Sequence, residues 1–358
     1  MIVKNAANLW RFSFTLNLAV MLSNQYTMSK AGSISNLKLK EVEIGDPEAS
    51  QVQITVKAVG LNFADIFAMH GLYSATPKGS FVPGLEFSGV VEKIGDKVTD
   101  FKVGDRVMGV TKFGGYVTHI NHDQRYISHL KDDWSFEEGA AYLVQGLTAY
   151  YALVSLGNIQ DQSTVLIHSG AGGVGIMANR IAKQFNAFTI GTIGSDRKTE
   201  VLKNEGFDEI IVRGADFKEK LAKSLSGKDL NIIVETIGGK IFKEGYKQLA
   251  PQGRMVAVGV SQFASPGKIP NYLKLIWHYL NRPKIDPQEM IQENKGVLGF
   301  NLIWLYDRVH LMNDMLKEMS QMDLGKPMVG KTFTWDQMFD AIKFFQSGNS
   351  TGKVVVTI

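Results

Sequence analysis

Apolar and polar residues alternate at the start of the chain. Val52, Ile54, Val56 and Ala58 are interleaved with Gln51, Gln53, Thr55 and Lys57. A period of two buries one face of an extended segment and wets the other, so residues 37–59 read as strands. Gly84 to Ile94 is a second apolar run, broken only at Glu86. Gly95-Asp96 and Gly104-Asp105 bracket a hairpin-like excursion, and Arg106 to Val110 returns as a strand. Gly114-Gly115 precedes another short strand, Tyr116 to Ile120. Short strands parted by glycine turns predict a compact β-rich domain over residues 30–130.

The period then lengthens. Ser135 and Glu138 make the S-x-x-E pattern of a capped helix start, continued by Ala140, Ala141 and Leu143. A second helical stretch covers Thr148 to Leu156. Thr164 to Ile167 is an unbroken run of the kind buried on both faces of a parallel sheet. Strand-like and helix-like segments alternate afterwards: Glu209–Val212, Phe217–Leu225, Leu230–Val234, Ile241–Leu249 and Arg254–Val260. That alternation predicts a doubly wound parallel sheet with helices on both faces. Residues 261–295 interrupt it with Pro266, Pro270, Pro283 and Pro287 around the apolar run Tyr272–Leu280. The run reads first as an ordinary buried helix. Its other readings are the wall of an apolar pocket, a dimer contact or a membrane-surface patch. Helices near Arg308–Met319 and Trp335–Gln346 precede a closing strand, Lys353–Ile358, that returns to the first domain.

Chemistry enters at the turn after Ile167. Glycine recurs at 170, 172, 173 and 175, the G-x-G-x-x-G spacing, and Ile176 to Phe185 suits a helix. A strand, a glycine turn and a new helix let backbone N–H groups approach a pyrophosphate. In an NAD site the next strand ends in an acid that binds the ribose 2′-hydroxyl. Here Phe188–Ile193 ends without one; Ile193 holds that place, and Ser195, Arg197 and Lys198 follow. Such a set accepts a 2′-phosphate, which favours NADPH over NADH. The competing reading is that Asp196, Arg197 and Lys198 begin a solvated helix, and an inward Asp196 would weaken the preference.

Composition narrows the class. A chain of 358 residues has room for two cores, and its net charge of +4, from 39 basic and 35 acidic residues, gives no case for nucleic acid. The absence of cysteine removes disulfides, thiolate nucleophiles and Cys-ligated zinc, and fits a reducing, cytoplasmic setting. Lys4 and Arg11 flank a partly apolar run, Phe12 to Leu22, interrupted by Ser13, Thr15 and Asn17; it is too short and polar to span a bilayer. Residues 1–27 therefore read as a loosely structured extension, or as sequence upstream of a start nearer Met28.

Taken in order, Val59-Gly60-Leu61-Asn62-Phe63-Ala64-Asp65, Pro83-Gly84-Leu85-Glu86-Phe87-Ser88-Gly89, Val103-Gly104-Asp105-Arg106-Val107-Met108-Gly109, Gln145-Gly146-Leu147-Thr148-Ala149 and the turn His168–Gly175 resemble the medium-chain dehydrogenase/reductase superfamily. Its zinc-free quinone oxidoreductases are most similar, and Gly71-Leu72-Tyr73-Ser74-Ala75 with the 261–295 insert is similar to the vesicle-amine-transport subgroup. The resemblance implies an α/β protein. A GroES-like catalytic domain would comprise residues 28–150 and 300–358, and a Rossmann NADPH-binding domain residues 151–299. It also implies a small quinone or enone as substrate and a second copy as partner in a homodimer. The implied reaction is hydride transfer from NADPH to a conjugated carbonyl.

By motif, Asn62 and Tyr73 would face the nicotinamide and acceptor, and Thr148 the nicotinamide side. Gly172, Gly173 and Val174 would hold the pyrophosphate. Ser195 and Lys198, with Arg197 a weaker candidate, would hold the 2′-phosphate. Phe300, Asn301 and Leu302 would pass backbone along the nicotinamide. Arg213 either adds a third cation or is solvated. Where zinc-dependent relatives carry a ligating His, this chain has Leu85, so no metal site is expected; His119 and His122 read as surface residues. Phe67 replaces a frequent Tyr, and Met69-His70 replaces an Arg-containing pair, with His70 as the candidate substitute. The alternative function is an NADPH-binding, vesicle-transport-like protein that contacts membrane or lipid with little turnover.

Overall fold

The computed structural model describes residues 21–358. Residues 1–20, with Lys4, Arg11 and most of the Phe12–Leu22 run, lie outside the described residues. Strand pairing starts at Met21, within the segment expected to be a loose extension. β1 (Met21–Met28) pairs antiparallel with β2 (Leu37–Ile44). Its residues Tyr26 and Met28 are buried, and Tyr26 Oη donates to the Trp335 carbonyl at 2.9 Å. β1 therefore fills part of the core of the β-rich domain, ahead of the boundary expected at residue 28.

β3 (Gln51–Gly60), β4 (Glu86–Ile94), β5 (Arg106–Val110), β6 (His119–Asp123) and β7 (Ile127–His129) form the β-rich domain. The predicted strand at Tyr116–Ile120 sits three residues later, as β6 (His119–Asp123). Tyr116 is instead tied by its N–H to the Pro83 carbonyl (2.9 Å), and Val117 bridges to Gln25 of β1. The capping pattern at Ser135 and Glu138 is formed, but the helix it starts is short, Phe136–Gly139. A helix over Leu143–Tyr150 follows and widens into a π turn over Tyr151–Leu156, earlier than the expected Thr148–Leu156.

β8 (Thr164–Ile167), β9 (Phe188–Ile193), β10 (Glu209–Val212), β11 (Leu230–Glu235), β12 (Leu249–Ala257) and β13 (Gly296–Gly299) make a six-stranded sheet. Every pairing in it is parallel, in the order β10-β9-β8-β11-β12-β13. Alternation along the strands divides the packing. Val165 and Ile167 join Met177, Ala178 and Ile181 on one face, while Leu166 joins Phe217, Leu221 and Tyr246 on the other. β14 (Val329–Thr334) and β15 (Lys353–Thr357) return to the first domain, where β15 pairs with β3 and completes a seven-stranded sheet.

The helix Tyr272–Leu280 departs from its first reading. None of its residues is buried, and Leu273 is 82% and Leu280 69% exposed. Among the described residues, no helix is long and apolar enough to cross a membrane.

Replacing Met28, which is fully buried, by Ala should destabilise the fold by about 2–5 kcal/mol. The same change at Leu22, 48% exposed on the same strand, should cost less than about 0.5 kcal/mol. Chemical denaturation of both variants checks that β1 belongs to the core.

Candidate active site

A parallel sheet whose strand order reverses leaves a crevice at the carboxyl ends of the two central strands. Here those strands are β8 and β11, and Ser169 Oγ meets Thr236 Oγ1 at 2.9 Å just beyond them. Ser169 takes a left-handed backbone conformation (φ 54°), which turns the chain sharply into the helix Gly173–Lys183. Gly172 caps that helix with no side chain, so its first N–H groups open onto a cleft of ≈ 260 Å³. At Gly173 a Cβ would fall on the Gln145 side-chain oxygen, so any larger residue there would have to push that side chain aside.

Gly172, Gly173, Val174, Thr148, Asn62, Tyr73, Phe300 and Leu302 all line this cleft. Four of them, Thr148, Phe300, Leu302 and Asn62, carry bonds or backbone turns that the sequence did not show. Thr148 Oγ1 donates back to the Val144 carbonyl at 2.6 Å. β13 stops at Gly299, so Phe300 and Asn301 are a connector, and Leu302 opens a tight helical turn instead of extending a strand. The amide of Asn62 is committed inside the protein. Its Oδ1 accepts from Lys353 Nζ at 2.7 Å, and its Nδ2 donates to Glu86 Oε1 at 3.1 Å and to the Gly60 carbonyl at 3.2 Å. Asn62 therefore positions the start of the helix Phe63–Met69 and offers no free hydrogen bond to an acceptor.

Lys353 and Glu86 form an ion pair behind Asn62, both nearly without solvent contact. Glu86 Oε2 also accepts from the Val144 N–H at 3.2 Å. Asp65 lies beside this group and accepts from the Asn62 N–H (2.8 Å) and Tyr116 Oη (2.9 Å). Burial pushes its carboxyl up to about 7, against the pull of those hydrogen bonds and Lys353. Tyr73 Oη donates to Asn301 Oδ1 at 2.6 Å, and burial holds the phenol up at about 12. Lys353, Glu86 and Gln145 carried no signal as site residues in the sequence.

The basic residues expected at the tip of β9 come together beside the cleft, where Lys198 reaches its lining residue Ser350. Lys198 Nζ donates to the Gly348 and Ser350 carbonyls, each at 2.7 Å, and Arg197 Nη2 donates to Asn349 Oδ1. Arg213 Nη1 donates to Thr192 Oγ1 at 2.8 Å. Burial, then Arg197 and Arg213, lower the proton affinity of Lys198, so the three cations share one neighbourhood. Among the described residues none of the three is ion-paired with a carboxylate. Ser195 begins this turn, and Asp196 is exposed and accepts from Thr199 Oγ1, turned away from the cations.

A buried chain links this tip to the switch point. Thr192 Oγ1, which accepts from Arg213, also lies 2.9 Å from His168 Nδ1. On the other side of the ring, His168 Nε2 lies 3.3 Å from Glu235 Oε2, and neither atom completes a hydrogen bond. Burial and then Arg213 drive His168 down to about 3, so it is neutral. Glu235 Oε1 accepts from the Gly238 N–H at 2.7 Å and fixes the turn after β11.

Two histidine expectations are corrected. His70 is buried at the end of the helix Phe63–Met69, with Nε2 3.3 Å from the Gly267 carbonyl, and does not line the cleft. His119 and His122 are half-buried, and His122 contacts the Val110 carbonyl at 2.8 Å and the Phe87 ring. Among the described residues no three His, Asp or Glu side chains gather as metal ligands.

A β-rich domain closed onto a doubly wound sheet, with a glycine-lined cleft at the switch point, defines a two-domain oxidoreductase fold. The alcohol dehydrogenase GroES-like domain matches residues 48–159, and the zinc-binding dehydrogenase domain matches residues 173–303. The chain is 33% identical over 334 residues to the synaptic vesicle membrane protein VAT-1 homolog of Danio rerio, covering 91% of this chain and 68% of that protein. The structure of a quinone oxidoreductase from Pseudomonas syringae superposes with a TM-score of 0.79 at 27% identity, over 94% of this chain and all (100%) of that one. The Escherichia coli quinone oxidoreductase complexed with NADPH shares the fold, with a TM-score of 0.80 at 24% identity over 94% and 100% of the two chains. The chain belongs to the medium-chain dehydrogenase/reductase family, in the quinone-oxidoreductase-like branch that includes VAT-1 homologs.

Two outcomes follow from the buried charges. Lys353→Met leaves Glu86 unpaired and should cost about 3–5 kcal/mol, of which the double variant with Glu86→Gln recovers a part; denaturant titration measures both. Asp65 holds its proton more tightly in the folded chain than in the unfolded one, where the ordinary value is 3.8. Its contribution to stability therefore falls as pH rises from 3.8 to about 7 and is level above that. Melting temperatures across that range should show a slope that Asp65→Asn reduces.

Proposed function

We propose that the protein is an NADPH-dependent reductase of quinones or enones that works without zinc. The observation that carries this reading is the group Arg197, Lys198 and Arg213, three neighbouring cations with no carboxylate partner among the described residues, beside Ser195. A phosphate with two charges suits such a group, and a bare ribose hydroxyl does not need it. The uncapped helix start at Gly172–Gly173 fits the pyrophosphate, so the residues present suit the coenzyme.

NADPH supplies the hydride when bound. The protein orients the acceptor against it and manages the charge that results. Hydride addition to the β-carbon of an enone places an electron pair on the carbonyl oxygen, and a proton from water completes the reduction. Tyr73, kept protonated by burial and lining the cleft, is the hydroxyl that serves that oxygen by turning its proton away from Asn301 Oδ1. Asn62, held by Lys353 and Glu86, fixes the wall on which Phe63 and Ala64 sit. Leu85 stands in the cleft where a metal-binding His would be needed for zinc chemistry. A cytoplasmic homodimer joined through the nucleotide domain is part of the same reading.

A second reading is favoured by one surface. The helix Tyr272–Leu280 exposes Leu273, Trp277 and Leu280, and residues 261–285 carry Lys268, Lys274, Arg282 and Lys284 but no acid. An apolar face edged with cations suits contact with an anionic membrane, with or without turnover. Sedimentation with phosphatidylserine vesicles tests it.

For the first reading, Lys198→Glu should weaken NADPH binding by about 10- to 100-fold, the ratio expected on losing a charged hydrogen bond, and leave NADH binding nearly unchanged. Titration calorimetry with both coenzymes gives the comparison. Equal losses would remove Lys198 from the phosphate.

A further inference from the structure

Beside the cleft lies a second hollow, of ≈ 800 Å³, within the range of sites that hold whole small molecules. The two spaces share Phe63, Phe67, Tyr73, Val258, Phe300 and Asn301, so a molecule can occupy both at once. The outer wall of the hollow is the inward side of the helix Tyr272–Leu280, through Leu275, Ile276 and Tyr279. Its other walls include Leu72, Val260 and Phe263. No lining residue is charged, and Asn301, one of its few polar groups, sits at the junction with the cleft, hydrogen-bonded to Tyr73.

This hollow exceeds what a small quinone or enone requires. An uncharged apolar wall gives nothing to a carboxylate or phosphate, which would lose its water there without a partner. It does give a hydrocarbon chain somewhere to leave water, and burial of each methylene is favourable. The cations of the 261–285 segment, Lys268, Lys274, Arg282 and Lys284, do not line it.

We infer that the hollow seats a long, uncharged hydrocarbon tail, so that the acceptor is a lipophilic conjugated carbonyl whose head lies at Tyr73 and Asn301 and whose tail runs beneath the helix Tyr272–Leu280. This rests on the reductase reading for the head but not for the tail. The tail site explains why an apolar helix is held over the cleft mouth with none of its residues buried.

The test uses the full chain with NADPH and straight-chain enones of increasing length, kept below their micelle concentrations, with methyl vinyl ketone as the shortest. kcat/KM should climb with each added methylene, by up to about fourfold per step, the ratio for complete burial of one such group. Ile276→Glu, a change on a 56% exposed residue, should flatten that climb. Ile291→Glu, at an equally apolar position 79% exposed and outside the hollow, should leave it intact. Calorimetric binding of a saturated long-chain ketone, undecan-2-one, should be abolished by Ile276→Glu alone. Turnover of methyl vinyl ketone with no gain from chain length would overturn the tail site and leave the reductase reading standing. Binding of undecan-2-one that depends on Ile276, with no enone reduced, would support the tail site and sink the reductase reading. Equal effects of both Glu variants would overturn the tail site.

Discussion

Glu86 and Lys353 meet in the interior from positions 267 residues apart, and both have given up their water. Such a pair holds together only if its remaining hydrogen-bonding capacity is met. Glu86 meets it by taking Lys353 and Asn62 on one oxygen and the Val144 N–H on the other. Lys353 takes Glu86 and Asn62. These bonds join β4, β15, the start of the helix Phe63–Met69 and the start of the helix Leu143–Tyr150. The floor of the cleft is therefore fixed by charge where the β-rich domain meets the helix leading into the parallel sheet.

The far end of the cleft is organised by the opposite arrangement. There Arg197, Lys198 and Arg213 are gathered with neutral oxygen partners. Arg213 reaches the switch point through Thr192 and His168, which ties the ends of β8, β9 and β11 to the start of the loop after β10. A neutral His168 suits this setting, since a charged ring would stand near Arg213 with little water to screen it. One end of the cleft thus cancels its charges internally and the other keeps a surplus.

Local chemistry was legible in the sequence. The glycine turn, the S-x-x-E cap and the alternation of β8 to β12 each depend on neighbours within a few residues and stand where they were expected apart from shifts of a few residues, while β13 gave no such signal. What depends on distant pairing was not legible. Glu86 showed only as a polar break in an apolar run, and Lys353 only as the first residue of a closing strand. Arg213 was ambiguous until strand order set β10 next to β9. The helix Tyr272–Leu280 was misjudged as buried because apolar composition reports a need for cover and not what supplies it. His70 looked like a candidate for the cleft, but it ends a helix turned toward Gly267.

The pairing of β15 with β3, and of Tyr26 with Trp335, closes the first domain with residues made after the whole parallel sheet. The sheet β8–β13, by contrast, uses one continuous stretch of chain. Contacts this distant in sequence carry a large loop-closure entropy and form slowly. The parallel sheet can consequently form before β14 and β15 are made, while the β3 edge waits for β15, and that unpaired edge is exposed to aggregation in the interval.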